Sequence, residues 1–245
     1  VLFPSTISVA ELYAAGGAGA IWSQYVRYIG AGALAAAGII SLVKSLPLIC
    51  KTFASAIKGL KGTDSSGSNE RTSHEISIKA VIIGIFITAM AIWLLPPLQA
   101  GIVSAILIVV FGFFFATVSS KMVGLVGSSN NPVSGMAIAT LLISTILLKI
   151  SGDTGAHGMV SAITIGSIIC VIAAIAGDTS QDLKTGYLLG ATPKKQQIGE
   201  LIGAVISALT IGGILILLNS AWGFGSKNLA APQATLMKLV TEGVM

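Results

Sequence analysis

Charged residues, cysteine and histidine are all scarce in this sequence, and each shortage excludes a class of protein. Only 9% of the 245 residues are charged, whereas about one quarter are charged in an ordinary soluble domain. The two cysteines, Cys50 and Cys170, lie in apolar surroundings and are too few for a disulfide scaffold or a zinc site. His157 has no partner at metal-ligand spacing, so we expect neither a metal site nor a cofactor.

Apolar residues take the place of the missing charges. Hydrophobic residues make up 54% of the sequence, and the mean hydropathy is +0.92. A soluble protein of this length could not bury so much apolar surface and would expose aggregating patches. The formal net charge of +5 therefore indicates membrane topology and contact with anionic lipid headgroups. Nucleic acid is not an expected partner, because no basic run is interleaved with aromatic residues.

The order of apolar and polar stretches predicts an all-α, polytopic transmembrane protein with about six spans and interrupted or re-entrant polar segments. Residues 1–50 combine a glycine-rich segment with the first span, and residues 51–79 form a hydrophilic cytoplasmic connector. A transmembrane helical bundle follows at 80–245. The predicted spans cover residues 28–49, 80–95, 100–118, 133–150, 157–176 and 198–218. After Pro232 we expect a short amphipathic helix.

The first polar break of the bundle lies at 124–136. Four uncharged polar residues precede Pro132 there, namely Ser128, Ser129, Asn130 and Asn131. Polar backbone at membrane depth is tolerated only where it is buried in protein or lines a cavity. With Asn131 as N-cap and Pro132 as the first helical residue, the free N–H groups of the next turn would bind a carboxylate or another anion. A tight cytoplasmic turn between two spans is the alternative.

The second polar break, at 177–197, is the longest polar stretch between two strongly apolar segments. Asp178 and Thr179 have side chains suited to N-capping, and Thr179 with Asp182 has the spacing of a capping box. Pro193 is suited to the first turn of a new helix. The candidate substrate-binding residues here are Asp178, Thr179, Gln181 and Asp182. A solvated cytoplasmic loop whose lysines set the topology is the alternative.

Three segments resemble the C-terminal part of the oligopeptide transporter family, which includes the yellow-stripe-like metal-chelate carriers. They are AGDTSQDLKTGYLLGATPKKQQIGELIGA at 176–204, VGSSNNPVSGM at 126–136 and YVRYIGAGA at 25–33. The resemblance implies a secondary transporter, a symporter that couples protons to uptake of small peptides or peptide-like metal chelates. It also implies a multi-pass protein of the cell membrane, here the bacterial inner membrane, with any metal arriving on the chelator.

Family members are much longer than this chain, so an N-terminal portion or a partner subunit is expected to complete the transporter. The first residues agree with this expectation, because VLFPSTISV has no initiator Met, basic n-region or cleavage signature of a signal peptide. The start of the sequence therefore looks like the interior of a longer chain.

Glu200 is the predicted proton-coupling residue, with Asp182 next. An acid within a span is costly and usually functional, and Glu200 is expected in the first turn of the last span. There the helix dipole favours the ionised form and burial favours the protonated form. Only a carboxyl that is protonated near neutral pH can bind and release protons in transport.

Two other functions compete with transport. An intramembrane aspartyl peptidase would need Asp153 and Asp178 to share a proton, but they lie about 25 residues, or ~35 Å, apart along one span. A non-transporting scaffold subunit gains support only from the short length. We therefore predict that the protein is not an enzyme.

The basic residues predict the topology. Lysine and arginine concentrate in the connector and in the second polar break, whereas the Pro96-Pro97 turn has none. Positive charge is enriched in cytoplasmic loops, so we expect both basic segments to be cytoplasmic. The residues concerned are Lys51, Lys58, Lys61, Arg71, Lys79, Lys184, Lys194 and Lys195.

Overall fold

The computed structural model describes residues 8–30, 71–98, 100–127 and 131–245, together with isolated positions between 32 and 51. Within these ranges it has seven helices and no strand, which confirms the all-α prediction. The predicted first span at 28–49 lies largely outside the described residues, as does most of the connector at 51–79. Ser128, Ser129 and Asn130 also lie outside them.

Helix α1 covers Val9–Ile21 and is continued by a π-helical turn, Trp22–Val26. It begins with a capping box, in which the Ser8 and Glu11 side chains accept from each other's backbone N–H groups. The remaining helices are α2 (Ile78–Leu94), α3 (Ile102–Val126), α4 (Val133–Ile150), α5 (Gly155–Leu189), α6 (Pro193–Trp222) and α7 (Pro232–Val244).

Five of these helices, α2 to α6, are long and apolar enough to cross a membrane. Their positions agree with the five spans predicted after residue 79. This part of the chain is therefore a polytopic helical bundle, as expected from its composition.

Helix α5 is the centre of the bundle, packing most extensively against α3 and next against α4. Phe115 of α3, Leu141 of α4 and Ile165 of α5 are almost completely buried at these contacts. Gly166 permits the close approach of α4, because a Cβ there would lie 3.3 Å from Leu141 Cδ1. Close packing of this kind holds helices together in a bilayer, where the hydrophobic effect between them is weak. The core therefore consists of α3, α4 and α5.

Helices α2 and α6 are attached to the outside of this core. The main contacts of α2 are with α3, and those of α6 are with α5. Against the described residues, no side chain of α6 is buried. Within the described ranges the outer helices are therefore much less buried than the core helices.

Residues 71–77, here called the strap, cross one end of the bundle before α2 begins. The Arg71 guanidinium donates to the Gly190 carbonyl over 2.6 Å, and the Lys194 N–H donates to the His74 carbonyl over 2.9 Å. The basic end of the connector and the loop between α5 and α6 therefore lie at the same end of the bundle, here called the strap end.

The second polar break is shorter than predicted, because α5 continues through residues 177–189. It ends at Gly190, whose φ of 70° is left-handed, and Pro193 then starts α6 as expected. The prediction that Asp178 and Thr179 cap a new helix was therefore wrong, and so was the capping box between Thr179 and Asp182. Tertiary contacts support the extra turns of α5, including the bond from Ser180 Oγ to the Ser120 carbonyl at 2.8 Å.

Helix α7 lies against the opposite end of the bundle, where it packs on α4 and α5. Met237, Val240 and Met245 contact the apolar core, and Lys149 Nζ donates to the Val244 carbonyl over 2.7 Å. The short helix predicted after Pro232 is confirmed.

Candidate functional site

A cavity of about 560 Å³ opens between the strap, α2, α5 and α6 near the strap end. Six apolar side chains form most of its wall, and four polar residues line it, namely Glu75, Thr179, Gln197 and Glu200. Small-molecule sites are typically concave, mostly apolar and supplied with a few polar groups. This cavity is therefore the candidate site.

Glu200 reaches the cavity from α6, but not from the first turn of that helix. Helix α6 begins at Pro193, so Glu200 lies about two turns inside it. The field of a helix terminus falls off within the first turn, and the predicted dipole effect on Glu200 was therefore wrong. The apolar span was predicted from residue 198, but the polar residues between Pro193 and Gln197 belong to the same helix. Among the described residues, the buried Oε1 of Glu200 has no hydrogen-bond partner.

Of the candidate residues on α5, Thr179 lines the cavity and the other three do not. Asp178, Gln181 and Asp182 are exposed to solvent. Asp182 instead joins two helices through its backbone, since Gln196 Nε2 donates to its carbonyl over 3.1 Å. The structure thus brings together two predicted residues, Thr179 and Glu200, and leaves Asp182 outside the cavity.

Glu75 and Gln197 are cavity residues that the sequence interpretation missed. Glu75 was assigned to a flexible connector, but the strap that carries it is tied to α6. The Ile76 N–H donates to Gln197 Oε1 over 3.0 Å. The available signal was Ser77, an N-cap ahead of the apolar run, whose side chain accepts from the Ala80 N–H over 3.3 Å. That cap indicates ordered backbone directly before α2.

Asn131 forms a second polar cluster, inside the core. Its Nδ2 donates to Ser119 Oγ over 2.7 Å and to the Ala173 carbonyl over 3.3 Å. Ser119 Oγ donates to the same carbonyl. Among the described residues, the buried Asn131 Oδ1 has no partner. Pro132 is the N-cap of α4 and Val133 its first residue, so the prediction that Asn131 caps this helix was wrong; its side chain bridges α3 and α5 instead.

The depth of Asn131 shows how far the first polar break enters the bundle. Ser119 lies seven residues before the end of α3 at Val126, which is ~10 Å along a helix. Because Asn131 Nδ2 bonds Ser119 Oγ, the residue directly before Pro132 and α4 lies about that far inside the end of α3. The three preceding candidates, residues 128–130, are not among those described.

The cavity and the polar cluster around Asn131 lie on different sides of α5. Ala173 and Gly177 both face Asn131. The Ala173 carbonyl accepts from Asn131 Nδ2, and a Cβ on Gly177 would lie 2.8 Å from the same nitrogen. Ile175 and Thr179 line the cavity, and a shift of two residues turns a helix by about 200°. Asn131 and Glu200 therefore do not share one site, but they lie at similar heights along α5.

The acid pair of a peptidase and a metal site are the two alternatives to a transport site. Asp153 Oδ1 pairs with His157 Nδ1 at 2.8 Å at the opposite end of the bundle, a contact that the sequence interpretation did not predict. Asp153 lies just before the start of α5 at Gly155, and Asp178 lies far along the same unbroken helix. The carboxylates of Asp153 and Asp178 therefore do not form an acid pair. Within the described ranges, no group of three His, Cys, Asp or Glu residues is placed to hold a metal ion.

Five long apolar helices, three of which line a partly polar cavity, define a polytopic α-helical membrane protein. The OPT oligopeptide transporter protein family matches residues 11–245, and the chain belongs to this family. It is 34% identical over 257 residues to a Haemophilus influenzae protein named "Putative oligopeptide transporter", covering 91% of this chain and 40% of that protein.

A second relative is the Saccharomyces cerevisiae "Putative oligopeptide transporter YGL114W". The two are 33% identical over 106 residues, which cover 43% of this chain and 14% of the yeast protein. The chain thus spans about two fifths of the length of the Haemophilus relative, from the 40% coverage. No solved structure matches it at a significant level.

Proposed function

We propose that the chain forms part of a proton-coupled symporter that takes up small peptides or peptide-like metal chelates. The observation that carries the proposal is the Glu200 carboxylate, which lines a cavity between helices and has a buried oxygen without a partner among the described residues. Family membership and the names of the two relatives support transport as the activity.

Glu200 is the group that couples protons to substrate in this proposal. An ionised carboxylate within a span is costly unless it finds a partner, and proton binding removes that cost. Because proton and substrate enter the same cavity, each changes the affinity for the other. Asp182 is the weaker candidate, since it is exposed and lies outside the cavity.

Substrate contacts come from the polar residues of the cavity and from its apolar wall. Thr179 and Gln197 supply hydrogen-bonding groups for amides, and side chains such as Leu201 supply apolar contact. A metal travels as cargo on its chelator. In this proposal Asn131 holds the start of α4 against α3 and α5, at the height of the cavity.

The loose attachment of α6 provides the movement that transport needs. Helices α3, α4 and α5 are tightly packed, whereas α6 contacts chiefly α5 and is not buried against the described residues. Rocking of one helical group against another around a fixed site is a common form of alternating access. We propose that α6 moves relative to α5, α2 and the strap, in the cell membrane or, for a bacterial protein, the inner membrane.

The proposal is tested by peptide uptake into proteoliposomes under an imposed pH gradient. Glu200→Gln should still bind substrate but lose gradient-driven accumulation, because the amide cannot carry a proton. The matched control is Glu242→Gln on α7, where the carboxylate pairs with Lys238 Nζ at 3.5 Å, and it should accumulate substrate normally.

Two outcomes would contradict the proposal. Accumulation by Glu200→Gln with an unchanged pH profile would remove Glu200 as the coupling group. Failure of the unaltered protein to accumulate short peptides or a peptide-like iron chelate under any pH gradient would remove transport itself and favour a scaffold role.

A further inference from the structure

Two carboxylates line the cavity, and among the described residues neither forms an ion pair with a cation. Glu75 and Glu200 both line it, and the ion pairs among the described residues are Asp153 with His157 and Lys238 with Glu242, both elsewhere. We propose that Glu75 binds the positively charged amino group of the substrate, beside the proton-carrying Glu200. This inference rests on the proposed function and specifies the substrate class of the same cavity.

Glu75 is held at the cavity by its two neighbours in the strap. The carbonyl of His74 accepts from the Lys194 N–H over 2.9 Å, and the N–H of Ile76 donates to Gln197 Oε1 over 3.0 Å. Both bonds run to the first turns of α6, the helix that also carries Glu200. The backbone of Glu75 therefore has a defined position relative to Glu200, although its side chain is exposed.

The charge of the cavity favours a cationic ligand. The carboxylate of Glu75 can accept a charge-assisted hydrogen bond from an ammonium group. The neighbouring wall is apolar, with Ile78, Val81 and Leu201 among its residues. The ligand that fits both features is an organic ammonium attached to an apolar body, such as the amino end of a short apolar peptide.

A bare metal ion fits the same residues less well. Divalent cations in proteins usually take several oxygen ligands in a closed shell, and no group of three acidic, histidine or cysteine residues occurs in the described ranges. The two carboxylates together with the apolar wall therefore indicate an organic cation.

Direct binding to the purified protein in lipid nanodiscs tests this inference. The probes are leucyl-leucine, which has a free amino group, and N-acetyl-leucyl-leucine, which has the same apolar body without that charge. The unaltered protein should bind leucyl-leucine up to about fivefold more tightly, the difference expected for an ion pair with an exposed carboxylate. Magnesium chloride alone is the probe for a metal site.

Substitutions at Glu75 test whether its carboxylate causes the preference for the free amino group. Glu75→Gln should bind the two peptides about equally, whereas Glu75→Asp, which keeps the charge, should retain part of the preference. Glu242→Gln is the matched control and should keep the full preference. The strap bonds beside Glu75 involve backbone atoms of His74 and Ile76, so these variants should fold.

Three results would overturn the inference: equal binding of the two peptides, an unchanged preference in Glu75→Gln, or saturable magnesium binding that Glu75→Gln abolishes. Uptake is measured separately, so the two proposals can fail independently. A preference for the free amino group without uptake would remove only transport. Uptake of the acetylated peptide as fast as the free one would remove only the ammonium site.

Discussion

Arg71 and Gly190 are 119 positions apart in the chain, yet the Arg71 guanidinium donates to the Gly190 carbonyl over 2.6 Å. This bond joins the end of the connector to the loop between α5 and α6. The C-terminal carbonyls of a helix lack intrahelical partners, and a cation at that end also interacts favourably with the helix dipole. The contact therefore stabilises the end of α5 and keeps the strap over the cavity.

The first prediction concerns topology. Because the connector and the loop between α5 and α6 meet at one end of the bundle, we expect both to be cytoplasmic and the Pro96-Pro97 turn to be outside. In a variant without Cys50 and Cys170, a membrane-impermeant thiol reagent applied to intact cells should label Gln99→Cys. It should not label Ser66→Cys or Lys195→Cys. Labelling at Ser66 and Lys195 but not at Gln99 would reverse the topology.

The second prediction concerns the strap as a moving part. The strap must separate from α6 if α6 moves during transport, and a disulfide between His74→Cys and Lys194→Cys would prevent this. Oxidation of that double variant should abolish uptake, and reduction should restore it. Lys121→Cys with His74→Cys is the control pair, because Lys121 lies on α3. Full uptake by the cross-linked protein would show that the strap stays in place during transport.

The third prediction concerns Asn131. Replacement by Leu removes the two hydrogen bonds from Asn131 Nδ2 to Ser119 Oγ and to the Ala173 carbonyl, each worth about 0.5–1.5 kcal/mol. Uptake should fall, because the start of α4 loses its bonds to α3 and α5, while the protein still inserts in the membrane. Ser120→Ala is the control, since Ser120 bonds the neighbouring Ala176 carbonyl over 3.0 Å. Normal uptake by Asn131→Leu would make this segment merely a structural turn.

The fourth prediction concerns the seam between α5 and α6. A Cβ on Gly186 would overlap the carboxamide of Gln196, so Gly186→Ala should displace that side chain and lower stability by about 0.5–1.5 kcal/mol, the value of its bond to the Asp182 carbonyl. The double variant with Gln196→Ala should regain part of that loss, because the two residues are in contact. Gly199→Ala is the control, since a Cβ there has no neighbour within 4 Å among the described residues. Thermal unfolding in detergent measures the unaltered protein, Gly186→Ala, Gln196→Ala, the double variant and the control, and strictly additive effects of the two single substitutions would contradict the contact.

Much of the architecture could be predicted because spans depend on local composition. A run such as 100–118 is apolar over a bilayer's thickness, and its backbone must then be helical to satisfy its own hydrogen bonds. Pro193 likewise predicted the start of α6, since proline at the first helical position loses no intrahelical bond. The positions of α2 to α6 follow from rules of this kind.

The cavity could be predicted only in part. Glu200 and Thr179 were chosen because an acid and a polar stretch beside a span are unusual, whereas Glu75 was missed because its surroundings have the composition of a flexible linker. The helical state of residues 177–189 was also missed, since Asp178 and Thr179 have side chains typical of N-caps. Contacts with Ser120 on α3 and Gln196 on α6 override that local preference.

The sequence by itself determined that this protein is a membrane-embedded helical bundle of the oligopeptide transporter family. Hydropathy acts over consecutive residues, and the family motifs are contiguous, so both can be recognised without coordinates. Only the tertiary structure decided which polar residues share a site. Glu75 and Glu200, 125 positions apart, line the same cavity because the strap bonds to α6. Asn131 bonds to α3 and α5 instead of capping its own helix. These pairings arise from hydrogen bonds between distant segments, which no local pattern encodes.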